Sequence, residues 1–339
     1  MARWILRLAA LAVVLLAAWI AGNVLRAHLV ETHSEQSLAP PTGRWIDAGD
    51  VQMFVQEWGP PDGPVLMLSH GTGAWSGTWF ATPDFLAAHG WHVVAIDLPP
   101  FGFTRRAAPA TAPLDYRRAA QAQRLLRAMA AISDRPVVLV GHSFGAGPAL
   151  EAAMREPARV RELVLVDPAL GLGPNGEQPG CAQASAGWPL DSPVARTALV
   201  EASATVPVFS GALLGRFVHR RDAVTADKLV EYRRPFHRRH FSAQLGDWAA
   251  SFASDDCRGA LSADAGALAS WAQRARLALI WGAEDTITPP AQGVALGRLT
   301  GTSPAFIAGV GHIPHLEDPA RFHAALQAAI GDAPAASAR

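Results

Sequence analysis

The stretch that decides the fold is VVLVGHSFGAGPALEAAMR, Val137 to Arg155. Val137 to Val140 form an unbroken apolar run, the pattern of a short strand buried on both faces. From Ala146 to Arg155 the apolar residues fall at helical spacing. Between the two, Gly141-His142-Ser143-Phe144-Gly145 must turn the chain from strand to helix in a few residues. So tight a turn crowds its own backbone, which is why small residues are needed two before and two after the serine. The turn lifts the Ser143 hydroxyl to the carboxyl edge of the strand. It also sets the N–H of Phe144 at a helix start, where partial positive charge can hold an oxyanion. A serine N-cap between loop glycines would read the same in isolation; the strand before it and the helix after it favour a nucleophile.

The same rhythm extends in both directions. RWIDAG and VQMFVQEWG read as a hairpin turned by Gly49 and Asp50. Short apolar runs then recur as VLMLSH ending at His70, HVVAIDL at Leu98, LVLVD at Asp167, LALIW at Trp281 and PAFIAGV at Val310. Helix-length stretches lie between most of them, such as Asp115 to Ala131 and Pro319 to Ile330. This alternation predicts an α/β fold, a mostly parallel eight-stranded sheet with helices on both faces. The rhythm stops over 168–276, where helical segments such as Pro193 to Val200, Thr225 to Tyr232 and Ala263 to Gln273 follow a glycine- and proline-rich stretch. Structureless loops beyond about 15 residues are uncommon in compact domains, so this stretch is expected to be an inserted helical cap. The core would then be 44–167 and 277–331, with a disordered tail over 332–339.

Composition narrows the class. With 339 residues, 50% hydrophobic and 17% charged, the chain can bury a large core and is not disordered. Lys plus Arg and Asp plus Glu each total 29, so no basic excess points to nucleic acid. Two cysteines, Cys181 and Cys257, make neither a disulfide scaffold nor a thiolate zinc site. At the N-terminus, LAALAVVLLAAWIAGNVL, Leu8 to Leu25, is long enough to span a bilayer, and Arg3 and Arg7 precede it. We expect a transmembrane signal-anchor over 1–30 with a linker over 31–43. The bias of positive charge toward the cytoplasm would place the remainder in the periplasm, on the outer side of a bacterial inner membrane. Cleavage near Ala18, Ala21 or Gly22 is the rival reading, although the run exceeds the ~7–15 apolar residues of a cleaved signal. In an oxidising compartment Cys181 and Cys257 either pair or stay as thiols.

A serine hydroxyl needs a base, and the base needs an acid to orient it. Asp285 follows the strand LALIW in WGAEDTITPP, and His312 follows PAFIAGV in GVGHIPHLEDP, so both arrive at the carboxyl edge that carries Ser143. Asp167, also at a strand end, is the second candidate acid. His70, His142 and His315 neighbour these motifs and read as scaffold.

These residues resemble the α/β-hydrolase superfamily in its Ser-Asp-His branch, over Arg44 to about Ile330. The resemblance implies Ser143 as nucleophile, His312 as general base and acid, and Asp285 as orienting carboxylate. His70-Gly71-Thr72-Gly73 is similar to the family's oxyanion loop, which implies the N–H groups of Thr72 and Phe144 as oxyanion donors, with Gly73 as a substitute for Thr72. AIDLPPFGFT, Ala95 to Thr104, resembles a family scaffold element, with Pro100 and Thr104 as departures. HGTGAWSGTW also resembles the same loop in accessory hydrolases of bacteriochlorophyll synthesis. An aspartate in place of Ser143 marks the dehalogenase and epoxide hydrolase branch, which is thereby disfavoured.

The expectation is a serine hydrolase acting on small-molecule or lipid-like carboxylic esters, with no metal or organic cofactor and with the membrane as partner through its N-terminal helix. Thioesterase, C–C hydrolase, amidase and perhydrolase chemistry stay open, as does a non-catalytic binding protein on the same fold. RRPFHRRH, Arg233 to His240, reads as a solvated helix face or as a contact for anionic headgroups. Trp188, Phe209, Phe217, Phe236, Phe241 and Trp248 are candidates for an acyl pocket or for the cap's own core.

Overall fold

The computed structural model describes residues 1–107, 114–173, 187–254 and 260–333. Cys181 and Cys257 lie outside the described residues, as does most of the expected tail. The strands are β1 (Gly43–Asp47), β2 (Val51–Trp58), β3 (Val65–Ser69), β4 (His92–Ile96), β5 (Arg105–Arg106), β6 (Val137–His142), β7 (Val160–Val166), β8 (Leu277–Gly282) and β9 (Ala305–Ile307). They form one sheet in the order β1-β2-β4-β3-β6-β7-β8-β9, with β5 paired to β2 off that path. Among the described residues nine strands stand where eight are expected, because a two-residue strand is too short to show a period. Pairing is antiparallel from β1 through β2 to β4 and parallel from there to β9.

The helices are α1 (Ala2–Val30), α2 (Glu35–Leu38), α3 (Thr82–Ala88), α4 (Arg118–Ile132), α5 (Ala146–Arg155), α6 (Pro193–Glu201), α7 (Pro207–Phe217), α8 (Ala226–Arg233), α9 (Phe241–Ala253), α10 (Ala265–Ala272), α11 (Pro290–Thr300), α12 (Pro314–Glu317) and α13 (Pro319–Ile330). The parallel strands read as unbroken apolar runs because both faces are covered. In β6, Val137 and Leu139 pack with Leu125 of α4, Ala149 of α5 and Leu296 of α11. Val138 and Val140 pack on the other side with Leu86 of α3 and Phe322 and Leu326 of α13. Each such side chain contributes roughly 1.5–3 kcal/mol of burial. Helices α6 to α9, between β7 and β8, cover the carboxyl edge. The last helix of that interval, α10, sits instead against α11 on the sheet's flank.

Helix α1 has 29 residues and a mean hydropathy of 2.3 over its most apolar window, which is almost wholly exposed. At 1.5 Å per residue it is about 44 Å long, more than the ~30 Å of a hydrocarbon core. Its far end docks onto the covering helices. Trp19 Nε1 donates to Ala202 O at 3.0 Å, and Arg26 Nη2 donates to Glu201 O and Thr205 Oγ1, each at 3.1 Å. Beyond the helix, the Glu31 carboxylate accepts from Ser242 N and Ser242 Oγ. Burial raises the pKa of Glu31 despite those bonds.

The basic run proves to be the other half of this attachment rather than a solvated helix face. Arg234 donates to Leu38 O at 2.9 Å and Arg239 to Thr32 O at 3.0 Å. Arg238 is fully buried, donates to Pro100 O at 2.5 Å and Thr104 O at 3.3 Å, and lies 3.6 Å from the Glu35 carboxylate. The stretch expected as a linker is therefore stitched to the covering helices by arginine donors on its backbone carbonyls.

Candidate active site

Ser143 follows β6 at φ 49°, a left-handed conformation that costs a non-glycine residue on the order of 1–3 kcal/mol. The two glycines make it possible. A Cβ on Gly141 would come within 2.7 Å of Ala146 Cα, and one on Gly145 within 2.3 Å of His70 O. Strand, turn and α5 thus pack at backbone contact distance, and the serine is left at the edge.

The structure brings Ser143, His312 and Asp285 into one hydrogen-bonded line. His312 Nε2 lies 2.8 Å from Ser143 Oγ, and His312 Nδ1 lies 2.7 Å from Asp285 Oδ2. A carboxylate only accepts, so Nδ1 carries the proton and Nε2 is free to accept from the serine hydroxyl. Burial alone would raise the pKa of Asp285. The hydrogen bonds from His312 and Thr288, together with the nearby imidazole charge, outweigh it and hold the carboxyl below its usual value. Thr288 Oγ1 donates to Asp285 Oδ2 at 2.6 Å, and the N–H groups of Ile287 and Thr288 donate to Oδ1.

Asp167 stands beside this pair. Ligand atoms of Asp167, Asp285 and His312 lie within 4.8 Å of one another. Asp167 Oδ1 accepts from Gly282 N at 2.8 Å, while Oδ2 is buried and has no hydrogen-bond partner among the described residues. Burial, then the charge of Asp285, raises its pKa well above the usual carboxylate range. The pair is thus pushed apart, Asp167 up and Asp285 down, and Asp285 is the carboxyl that faces the imidazole.

The neighbouring histidines are tied into the frame. His70 Nδ1 donates to Gly71 O at 2.8 Å and His70 Nε2 accepts from Leu98 N at 2.9 Å, and burial lowers its pKa to about 4. His142 Nε2 donates to His312 O at 2.8 Å, joining the serine turn to the histidine loop; burial lowers its pKa to about 3. His315 lies tilted against Trp79, ring centroids 4.5 Å apart, and burial likewise lowers its pKa.

Thr72, Gly73, His142, Ser143 and His312 line a cavity of about 230 Å³. Apart from Ser210, Tyr232 and Arg233, its upper wall, from α6 to α9, is apolar. Of the six aromatic candidates, Phe217, Phe236, Phe241 and Trp248 line it. Trp188 is 84% exposed, and Phe209 packs instead against Trp19 of α1. Phe144 does not line the cavity; its ring packs on Phe101 and Trp248, behind the serine turn.

Two contributors were not foreseen. Thr288, three residues after Asp285, carried only a turn signal. Glu317 is buried, and its carboxylate accepts from Gly311 N and Ile313 N on either side of His312 and from His219 N and Arg220 N beyond α7. Nothing local marks it, because its partners come from two separate parts of the chain.

Comparison with known proteins agrees with this architecture. The chain is 34% identical over 120 residues to pimeloyl-[acyl-carrier protein] methyl ester esterase of Nitrosospira multiformis. It is 33% identical over 132 residues to 2-hydroxymuconate semialdehyde hydrolase of Pseudomonas sp. CF600. These alignments take in 34% and 38% of this chain and span less than half of either relative, 42% and 44%. A solved membrane phospholipase A, described as a bacterial virulence factor, superimposes with a TM-score of 0.62 at 26% identity, covering 97% of this chain and 98% of that one. The sequence model of the α/β hydrolase fold matches residues 64–319, three quarters of the chain, and the chain belongs to that family.

Proposed function

We propose that this protein is a serine hydrolase that cleaves carboxylic esters of apolar, lipid-like substrates at a membrane. The observation that carries the reading is the line Ser143–His312–Asp285 at the floor of an apolar cavity. Ser143 Oγ attacks the ester carbonyl carbon as His312 Nε2 takes its proton. Negative charge moves to the carbonyl oxygen, which the N–H groups of Thr72 and Phe144 would receive. Collapse expels the alcohol, protonated by His312, and leaves the acyl group on Ser143. Water, deprotonated by His312, then attacks the same carbon; the acid leaves and Ser143 regains its proton. Asp285 keeps Nδ1 protonated throughout and stabilises the imidazolium.

The membrane half of the reading rests on α1, an apolar helix of spanning length with Arg3 and Arg7 at its start. The similarity to a membrane phospholipase A over 97% of this chain, a share that cannot omit a 29-residue helix, supports it. Orientation with the hydrolase body on the periplasmic side follows from the two arginines. Protease added outside intact spheroplasts should digest the body of a full-length, carbonate-resistant protein.

The activity test is hydrolysis of p-nitrophenyl esters from acetate to palmitate by the full chain in detergent. Turnover should rise with acyl length until the cavity is filled, and Ser143→Ala should lower kcat at least about 10⁴-fold. Silence on every ester, together with no labelling of Ser143 by a fluorophosphonate, would leave a binding protein on this fold.

A further inference from the structure

Helix α7 is built unlike its neighbours. Of its 11 residues, Pro207–Phe217, none is buried. Only Ser210 and Arg216 bring polar side chains. Val208 is 67% exposed, Phe209 45% and Leu213 47%, a density of exposed apolar side chains that a water-facing helix does not carry. Ser210, Leu213, Leu214 and Phe217 contribute to the wall of the cavity above Ser143, Leu213 standing at its rim between the two faces. Its last residue is also a fixed point for the site, since Phe217 O accepts the N–H of His312 at 3.0 Å.

Helix α1 sets the depth at which α7 lies. Arg7 and Arg26 bracket its apolar stretch, and the nineteen helical steps between them span about 29 Å, close to the ~30 Å of a hydrocarbon core. Trp19 lies seven residues, about 10 Å, to the membrane side of Arg26 and so within the acyl layer. The Trp19 ring meets that of Phe209 edge-on at 5.8 Å, so Phe209 on the exposed face of α7 is carried about 10 Å below the boundary at Arg26, level with the acyl chains.

We propose that α7 is an interfacial helix. Val208 and Phe209 rest in the bilayer while the inner face walls the cavity, so the acyl chain of the ester reaches Ser143 from the plane of the membrane rather than from water. The occupant of the exposed face is the lipid surface itself, because α7 is continuous with the spanning helix through the Trp19 contact. This deepens the ester-hydrolase reading and rests on it for the route of substrate, but not for the depth of the helix.

The test uses the full chain in vesicles of phosphatidylethanolamine and phosphatidylglycerol, with Val208→Asp/Phe209→Asp as the variant. Hydrolysis of a long-chain ester carried in the vesicles should fall at least tenfold, while p-nitrophenyl butyrate offered from water stays within twofold. Equal rates on both substrates would overturn the proposal. A second measurement is independent of catalysis. Phe209→Cys, in a Cys181→Ser/Cys257→Ser background, carries an environment-sensitive fluorophore, and Val294→Cys on α11 serves as the water-exposed control. Quenching by lipids brominated along the acyl chain should reach the label at 209 and not at 294. If both labels are equally unquenched, α7 is not in the bilayer. If 209 is quenched but no ester is turned over, the depth stands and the ester-hydrolase reading fails.

Discussion

At the carboxyl edge of the sheet, Ser143 sits in a strained turn between glycines that touch backbone, Asp285 accepts four hydrogen bonds, and each neighbouring histidine has a fixed place. Across the cavity, α7 has no buried residue and is held by its ends and by Arg233, whose guanidinium donates to Ser210 Oγ and Pro207 O. The lower half of the site is therefore set by short-range geometry. The upper half is set by distant attachments, to the histidine loop below through Glu317 and to the N-terminal helix beside it. Chemistry requires sub-ångström placement and gets it from the half that cannot relax. Substrate choice needs only a shape and an apolar surface, which α7 supplies without burying a residue of its own.

The largest effect that would break this contrast is at the carboxyl pair. Asp285→Asn should lower kcat by about 10³–10⁴-fold, because Nδ1 loses the acceptor that keeps it protonated. Asp167→Asn should leave kcat within about threefold. Steady-state rates for both decide which carboxyl faces the imidazole. The same variant has a stability signature. A carboxyl with a raised pKa holds its proton in the folded chain when the unfolded chain has released it, so wild-type stability falls as pH rises above about 4. Asp167→Asn removes that loss, and its advantage in melting temperature over wild type should grow from pH 4 to pH 8.

Next is Arg238→Ala, which removes the donor from Pro100 O and Thr104 O and strands Glu35. A loss of about 3 kcal/mol is expected in urea unfolding of the full chain in detergent. A loss below about 1 kcal/mol would mean that the attachment is ornamental and that the upper half is held by α1 alone.

The lower half should also be the acid-sensitive one. His70 and His142 stay neutral in the folded protein down to about 4 and about 3, whereas an unfolded histidine takes a proton near 6.5. Their depressed values favour folding above pH 6.5, and that contribution is lost as pH falls from about 6.5 toward 4. His70→Asn should flatten the pH dependence of the unfolding midpoint by about one proton; an unchanged slope would place the acid sensitivity elsewhere. At the small end, Arg44 pairs with Glu57 at 2.6 Å with about half of its side chain in water, and Arg44→Ala should change stability by less than about 0.5 kcal/mol.

What could be read in the sequence follows the same division. The strands of the core are unbroken apolar runs and the serine turn is a local necessity, so β6, the turn and α5 are all visible in Val137 to Arg155. Asp285 and His312 could be found because strand ends deliver them. The roles of Arg238 and Glu317 could not, since Arg238 is defined by remote carbonyls and Glu317 ties its own loop to the remote amides of His219 and Arg220. Helix α7 escaped because its apolar surface points outward as well as inward, whereas α9 carries Phe241, Leu245, Trp248 and Phe252 at helical spacing and was legible. Reading the basic run as a water-facing surface failed for a related reason. Charge in a sequence says nothing about which backbone carbonyls will come to meet it.

The docking of α1 also decides where the chain can be cut. A recombinant fragment that begins at Arg44 omits Arg26 and Glu31 and deprives Arg234 and Arg239 of the carbonyls they bind, so its upper half should be loose and prone to aggregate. A fragment that begins at Gly22 sheds the apolar run, gives up the Trp19 bond, and keeps every attachment from Arg26 onward. The same asymmetry separates two fates in the cell. Trimming beside Ala21 would release a protein with its upper half still pinned, whereas shedding within 31–43 would release one already coming apart.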